Sequence, residues 1–364
     1  MPMNPFRPSA GAEPPSIIGR DQAIVDFVSG LEGGVGAPGR LMRISGPRGS
    51  GKTVLLSDLA ARAADMGWKV ANVSAGVDMV DDLIYELSPE VAVDSFSATG
   101  SIAIVSGSAT AHVKHPNLRS LMKSAAEKGK GLVITIDEVQ DASEEDMQRI
   151  ASAVQLLIRE KVDIALVFAG LPMGVMDLIN GKALTFLRRA VSENLQDISL
   201  LEVGLSLEES FSATGLLLGG KQLQRVTRAT DGYAYLIQLV GYYVWQRGDL
   251  HRSSGNVITD EDVDTGLQIA VERFHETVHE PAISGLSKGA MEYLFCMAQD
   301  AGASSTAEVS KRMGKAPKAT GAYRRALLQR EVIQAPARGY VEFAVPLLRE
   351  YLLENEDELR ERFC

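Results

Sequence analysis

Cysteine is nearly absent from this chain: Cys296 lies in an apolar run and Cys364 at the last position, a pair that makes no disulfide framework. A disulfide-stapled secreted domain is thereby excluded, and a reducing cytoplasm is the expected setting. Long apolar runs are missing as well. The uncharged stretch SFSATGSIAIVSGSATAH is mostly Ser, Gly and Ala, too polar to span a bilayer, so no membrane partner is expected. The opening MPMNPFRPSAGAEPPS has no apolar segment and is expected to be a Pro-rich flexible leader over residues 1–16, not a signal peptide. Positive charge is also short, with 37 Lys and Arg against 47 Asp and Glu, which argues against a surface coated throughout for nucleic acid.

What remains is an ordinary α/β composition, 45% hydrophobic over 364 residues, enough for two or three domains. Residues 17–30 have helical apolar spacing. Short apolar runs then alternate with amphipathic helices: LMRI, KVANVSA, GLVITIDE, DIALVFAG and DISLLEV are the strand candidates, and such alternation predicts a parallel sheet flanked by helices. Residues 94–113 suggest a hairpin excursion. From residue 206 the pattern becomes purely helical, and HRSSGNVITDED predicts a loop with an Asx or Thr cap on the next helix. The last 80 or so residues give helices near 288–298, 305–313 and 320–331, then two short strands around an Ala-Arg-Gly turn, the order of a winged helix.

The motif that carries chemistry is RISGPRGSGKT, residues 43–53, in which Gly46, Gly51, Lys52 and Thr53 satisfy G-x-x-x-x-G-K-[ST]. Such a match arises by chance in roughly one chain in a hundred of this length; the apolar strand before it and the helix after it make chance a poor explanation. The loop Pro47, Arg48, Gly49 and Ser50, with Val54 beyond it, is expected to wrap a nucleotide's phosphates. Glycines let backbone N–H groups approach without a Cβ in the way, and the helix N-terminus adds positive potential. Lys52 is expected to bridge the β- and γ-phosphates and the Thr53 hydroxyl to ligate Mg²⁺. About 85 residues on, Asp137 closes LVITID where a carboxylate should hold the magnesium through water, and Glu138 beside it is placed to deprotonate the attacking water. ATP and Mg²⁺ are the expected ligands.

With IIGRDQAI ahead of GPRGSGKT, then LVITIDEVQD, ALVFAGLP, LTFLRRA and TDGYAYLIQLVG, the chain resembles AAA+ ATPases of the origin-initiator and STAND-like branches, in particular bacterial and archaeal ATP-binding proteins that end in a winged helix. The resemblance implies a flexible leader (1–16), a nucleotide-binding α/β domain (17–205), a helical lid (206–256), a connecting helix (257–285), a winged helix (286–353) and an acidic tail (354–364). It further implies that Ile18, Gly19 and Arg20 line the adenine side. Arg189 would be an arginine finger reaching a neighbouring subunit's γ-phosphate in a nucleotide-dependent homo-oligomer, with Arg188 the alternative. Helix C-capping is the structural explanation for the same two arginines. Two departures from the family pattern stand out. Ala169 and Gly170 occupy the strand end where a polar sensor is common, and Tyr235 the place of a second sensor arginine, so a slow ATPase or switch is expected.

Between residues 306 and 340 eight basic residues face only two acidic ones. Lys311, Lys315, Lys318, Arg324, Arg325 and Arg338 are the expected contacts to double-stranded DNA, with Thr320, Arg324, Arg325 and Gln329 on the outer face of the recognition helix and Leu327 and Leu328 inward. The expected function is an ATP-dependent switch coupled to DNA. The alternative is a STAND-like signalling or defence ATPase whose winged helix binds protein. FHETVHE also matches H-E-x-x-H, so His275, Glu276 and His279 give a remote zinc-hydrolase reading, with Glu292 or Glu308 as third ligand.

Overall fold

The structure, a computed structural model, describes all residues except 1–2, 10, 13, 15, 89–116, 182–183, 253–254 and 364, together with the backbone but not the side chain of Thr185. The hairpin expected at 94–113 lies outside the described residues. Two compact units result: an α/β unit, Gly19–Gly46 with Gly51–Gln196, and a helical unit, Met1–Ile18 with Pro47–Ser50 and Asp197–Cys364.

The α/β unit is built on a parallel sheet in the order β2-β3-β4-β1-β5, from β1 (Leu41–Ser45), β2 (Lys69–Ser74), β3 (Leu132–Asp137), β4 (Ile164–Gly170) and β5 (Val191–Asn194). Burial follows from sequence. The β-branched run of β3 and all of β4 are central strands covered on both faces, whereas β2 and β5, at the edges, carry exposed residues in alternation. Period-two geometry splits β4 between two cores. Leu166 and Phe168 join Ile134, Ile136 and the helices α3 (Met79–Leu87), α4 (Leu118–Glu127) and α5 (Glu144–Arg159). Ala165, Val167 and Ala169 join Phe27 of α1 (Asp21–Glu32) and Leu55 and Leu59 of α2 (Lys52–Asp65). A short helix α6 (Pro172–Asn180) and a 3-10 turn (Thr185–Arg189) follow β4.

One strand was misplaced by the sequence reading. The fifth strand is Val191–Asn194, pairing with β1 at the sheet edge, while the DISLLEV segment runs into helix α7 (Leu200–Ala213). Val203, Leu207 and Phe211, four residues apart and fully buried, show that the helical period prevails there. The true strand, VSEN, is too short and polar to signal itself.

In the helical unit, α7, α8 (Gly220–Ala229), α9 (Ala234–Leu250) and α10 (Asp260–Phe274) share one apolar core. Thr259 caps α10 with a full capping box to Asp262, as the sequence anticipated. The N-terminal segment, expected to be flexible, seats Phe6 in that core against Phe211, where Gly241 leaves the room a Cβ would take. Asn4 Nδ2 donates to the Tyr242 carbonyl at 3.0 Å, and the Arg7 amide to Gln238 Oε1 at 3.0 Å.

After a π-turn (His275–His279) and a short α11 (Glu280–Ile283), the chain forms a second apolar core. Its helices are α12 (Lys288–Ala298), α13 (Thr306–Arg312) and α14 (Pro317–Gln329), and its antiparallel sheet is β6-β8-β7, from β6 (Ser304–Ser305), β7 (Ile333–Gln334) and β8 (Tyr340–Phe343). This is the element order of a winged helix. Two further helices, α15 (Leu348–Glu354) and α16 (Glu356–Phe363), complete it. Leu359 of the acidic tail is buried, and Arg360 pairs with Glu292 of α12 at 2.9 Å.

Among the described residues no helix is long and apolar enough to cross a membrane.

Candidate functional site

The sheet brings its chemistry together at the C-terminal ends of the strands, where open parallel sheets bind ligands. The loop Gly46–Thr53 joins β1 to α2, whose first residue is Lys52. Gly49 and Gly51 have φ of +72° and +93°, conformations that side-chain-bearing residues rarely adopt. This backbone turns the loop over the helix N-terminus. Lys52 is buried and its ammonium donates to the Gly46 carbonyl at 3.0 Å, so the cation is held inside the loop. Val54 is half-buried in the first turn of α2.

Thr53 and Asp137, 84 residues apart in sequence, meet: the Thr53 hydroxyl donates to Asp137 Oδ2 at 2.6 Å. Asp137 Oδ1 accepts the Glu138 amide at 2.9 Å. Glu138 has φ +53°, a left-handed conformation that ends β3 and turns its side chain away from the strand direction. Two oxygen donors side by side, one hydroxyl and one carboxylate, are the hard ligand set that Mg²⁺ takes. Gly49 and Gly51 carry no Cβ at the two left-handed positions of the loop, so a phosphate can approach the backbone closely. The residues therefore fit a magnesium nucleotide.

Sequence reasoning missed Gln140. Its Nε2 donates to Glu138 Oε2 at 2.5 Å and its Oε1 accepts the Leu171 amide at 3.0 Å. The only sequence signal is indirect, in the glycines of AGLPMG that make space for it.

The other expected residues are distributed as follows. Arg20 is buried, and its guanidinium donates to the Gln196 carbonyl at 2.9 Å, with Gly19 (φ +66°) just before it. Ile18 belongs to the helical unit and packs half-buried against its core. Arg188 donates from Nε to the Ile179 carbonyl at 2.9 Å and from its terminal nitrogen to Asn180, capping the C-terminus of α6. Arg189, in the same turn, is exposed and makes no hydrogen bond or ion pair among the described residues.

The loop tip Pro47–Ser50 groups with the helical unit, where Tyr233 meets it. The Tyr233 hydroxyl donates to the Arg48 carbonyl, and a methyl on Gly49 would collide with that hydroxyl. Burial, with Asp197 nearby, pushes the Tyr233 phenol well above its usual range and keeps it a donor. Tyr235, the residue singled out from sequence, instead contacts the Thr277 hydroxyl at 3.2 Å.

In the C-terminal module of α12–α14 and β6–β8, Lys311, Lys318, Arg325 and Arg338 are exposed, and Lys315 lies over the Tyr323 ring with its nitrogen 4.9 Å from the centroid. One expectation fails here. Thr320, assigned to the outer face of α14, is buried and shares a 2.7 Å hydrogen bond with Ser310, because α14 turns its N-terminal half onto α13. Arg324 is only half exposed, with a buried Nε. Leu327 does face inward.

The zinc reading is overturned. His279 is fully buried, and its Nε2–H donates to the Pro346 carbonyl at 2.7 Å. Glu276 is exposed and paired with Arg273 at 2.7 Å. Glu292 and Glu308 pair with Arg360 and Lys311. Among the described residues no group of three or more His, Cys, Asp or Glu is placed to hold a metal ion. The histidines instead build an aromatic cluster with Phe274 and Tyr351.

Compared with known proteins, residues 16–167 match the AAA ATPase domain family, and residues 276–352 match a domain of unknown function, DUF8462. No curated protein matches the sequence. Among solved structures the chain is similar to a Walker-type ATPase of Pyrococcus abyssi (TM-score 0.64, 15% identity, covering 93% of this chain and 96% of that one). It is also similar to the ADP form of the Aeropyrum pernix ORC2 protein (TM-score 0.55, 15% identity, covering 98% and 97%) and to Cdc6p of Pyrobaculum aerophilum (TM-score 0.52, 14% identity, covering 98% and 98%). At such identities the likeness is one of fold. Phosphate loop, paired carboxylates and sheet order agree with the match of residues 16–167 to the AAA ATPase domain family, in a chain that shares the P-loop ATPase fold of these structures.

Proposed function

We propose that this protein is a slow ATP-hydrolysing switch whose nucleotide state controls binding of its winged helix to double-stranded DNA. The observation that carries the hydrolytic half is the 2.6 Å contact between Thr53 and Asp137, with Glu138 next in sequence. Phosphate is held by the loop Gly46–Val54, through the backbone N–H groups of its residues other than Pro47, and by the Lys52 ammonium, released from the Gly46 carbonyl. Ile18, Gly19 and Arg20 stand at the adenine side. Thr53 and Asp137 would hold a magnesium ion, which would supply neutralisation of the phosphate charge. Glu138 takes the proton of the attacking water, a role that contributes about 10²–10⁴-fold in rate. Arg189 acts in trans in a nucleotide-dependent homo-oligomer, since Arg188 is committed to the α6 carbonyls. Ala169 and Gly170 end β4 without a polar side chain, which supports slow turnover.

The DNA half is supported by charge. In a chain of net charge −10, Lys311, Lys318, Arg325 and Arg338 stand exposed on one small domain whose α14 is the element a winged helix lays in the major groove. The test measures ATP turnover and DNA affinity together. Lys52→Ala is expected to lose ATP binding; Glu138→Gln is expected to keep ATP bound and lose turnover at least 100-fold, holding the DNA affinity of the ATP state. Equal DNA affinity in nucleotide-free, ADP and ATP-bound protein overturns the switch, and salt-insensitive capture of a protein in place of DNA favours the signalling alternative.

A further inference from the structure

We propose that Gln140 is the positioning residue of the hydrolytic site, holding the Glu138 carboxylate from the β3 side and replacing the polar side chain that β4 lacks. This rests on Glu138 acting as the base. The amide of Gln140 spans two elements. Oε1 accepts the Leu171 N–H at 3.0 Å, just past the end of β4, and Nε2 donates to Glu138 Oε2 at 2.5 Å. The orientation is fixed by chemistry. A backbone N–H can only donate, so the amide oxygen must face Leu171 and the NH₂ must face the carboxylate; the flipped amide would set donor against donor and acceptor against carboxylate.

The place of Gln140 is shaped by what two neighbours lack. A Cβ on Gly170 would sit 2.7 Å from Gln140 Oε1, and one on Gly174 would overlap the Gln140 Cβ. The strand end where Ala169 and Gly170 offer no polar group is thus the space that Gln140 fills from the following 3-10 turn (Val139–Asp141). Glu138, at φ +53°, has its carboxylate directed by this hydrogen bond from Gln140. One oxygen held by Nε2 leaves the other to take the proton. Any shift of Leu171 moves the amide and the carboxylate with it, so β4 acts on the base through Gln140.

The test uses the full-length protein with single-turnover ATP hydrolysis across pH, alongside binding of a fluorescent ATP analogue. Gln140→Ala is expected to slow hydrolysis 10- to 100-fold with analogue affinity within three-fold of wild type. Gln140→Glu keeps the acceptor for Leu171 and sets a carboxylate against Glu138. It is expected to move the acid limb of the pH–rate profile up by one pH unit or more, which a merely structural residue would not do. In a Glu138→Gln background Gln140→Ala is expected to add nothing. Unchanged rate and unmoved acid limb in Gln140→Glu overturn the proposal, and that variant carries the test if Gln140→Ala does not fold. Glu138→Gln separates the two readings. Full turnover in Glu138→Gln removes the base and the role of Gln140 with it, whereas loss in Glu138→Gln with full activity in both Gln140 variants removes Gln140 alone.

Discussion

At Gly49 one methyl group decides whether the phosphate loop keeps its shape. The position combines φ +72° with the Tyr233 hydroxyl lying where a Cβ would go, and the aromatic ring is rigid. Gly49→Ala is expected to weaken ATP-analogue binding at least ten-fold, by left-handed strain of about 1–2 kcal/mol added to the clash. Adding Tyr233→Ala removes the clash but not the strain, so the double variant should recover part of the loss; no recovery in titration would show that Tyr233 does not set the loop. The glycines and Lys52 were legible from spacing, since the motif is a local backbone requirement. Tyr233 was not, because Tyr233 and Tyr235 stand two residues apart at one helix start and only packing tells which meets the loop. Arg188 and Arg189 are alike in sequence for the same reason. Both are exposed, and the carbonyls at the end of α6 engage the first and leave the second without a hydrogen bond among the described residues.

At the level of elements, the π-turn His275–His279 turns a match to a zinc motif into a folded joint. His279 is buried, and burial holds its imidazole at about 4, the Pro346 carbonyl only partly offsetting it. His275 is likewise lowered by burial, against Glu354 and Glu272. Tyr351 and Glu280 share a hydrogen bond beside them, and Arg362 pairs with Glu280 at 2.6 Å. The sign follows from linkage. The unfolded histidine takes its proton near pH 6.5 and the folded one only near 4, so stability is full above 6.5 and falls as pH drops through that window, by on the order of 3 kcal/mol for His279. Melting temperature is expected to fall steeply from pH 7 to pH 4.5 in wild type and less so in His279→Gln, and parallel curves would contradict it. Central strands and the capping box were readable from β-branched runs and from Thr259 with Asp262. The edge strand β5 and the seating of Phe6 were not, as both draw their burial from distant chain: β1 in one case, Phe211 and Gly241 in the other.

Over the whole molecule, an acidic chain carries its basic residues unevenly, and structure sorts them further. Arg312, Arg325, Arg330 and Arg338 are all exposed, but Arg312 is paired with Asp300 at 2.6 Å and Arg330 donates to the Ser284 carbonyl at 2.7 Å, whereas Arg325 and Arg338 make no such contact among the described residues. Arg325→Ala with Arg338→Ala is expected to weaken DNA binding and to lower the slope of log affinity against log salt by about 2, as each phosphate contact releases counterions. An unchanged slope would assign these arginines to another task. The sequence by itself determined the phosphate loop, the acidic pair, the parallel sheet and the order of a winged helix, because each is written in local spacing that backbone geometry enforces. Tertiary structure decided the rest: that Thr53 reaches Asp137, that Gln140 ties the Leu171 amide to Glu138, that Tyr233 meets the loop and that His275 and His279 pack against Tyr351. Those outcomes depend on which side chains distant segments bring within 3 Å, and no local pattern contains that distance.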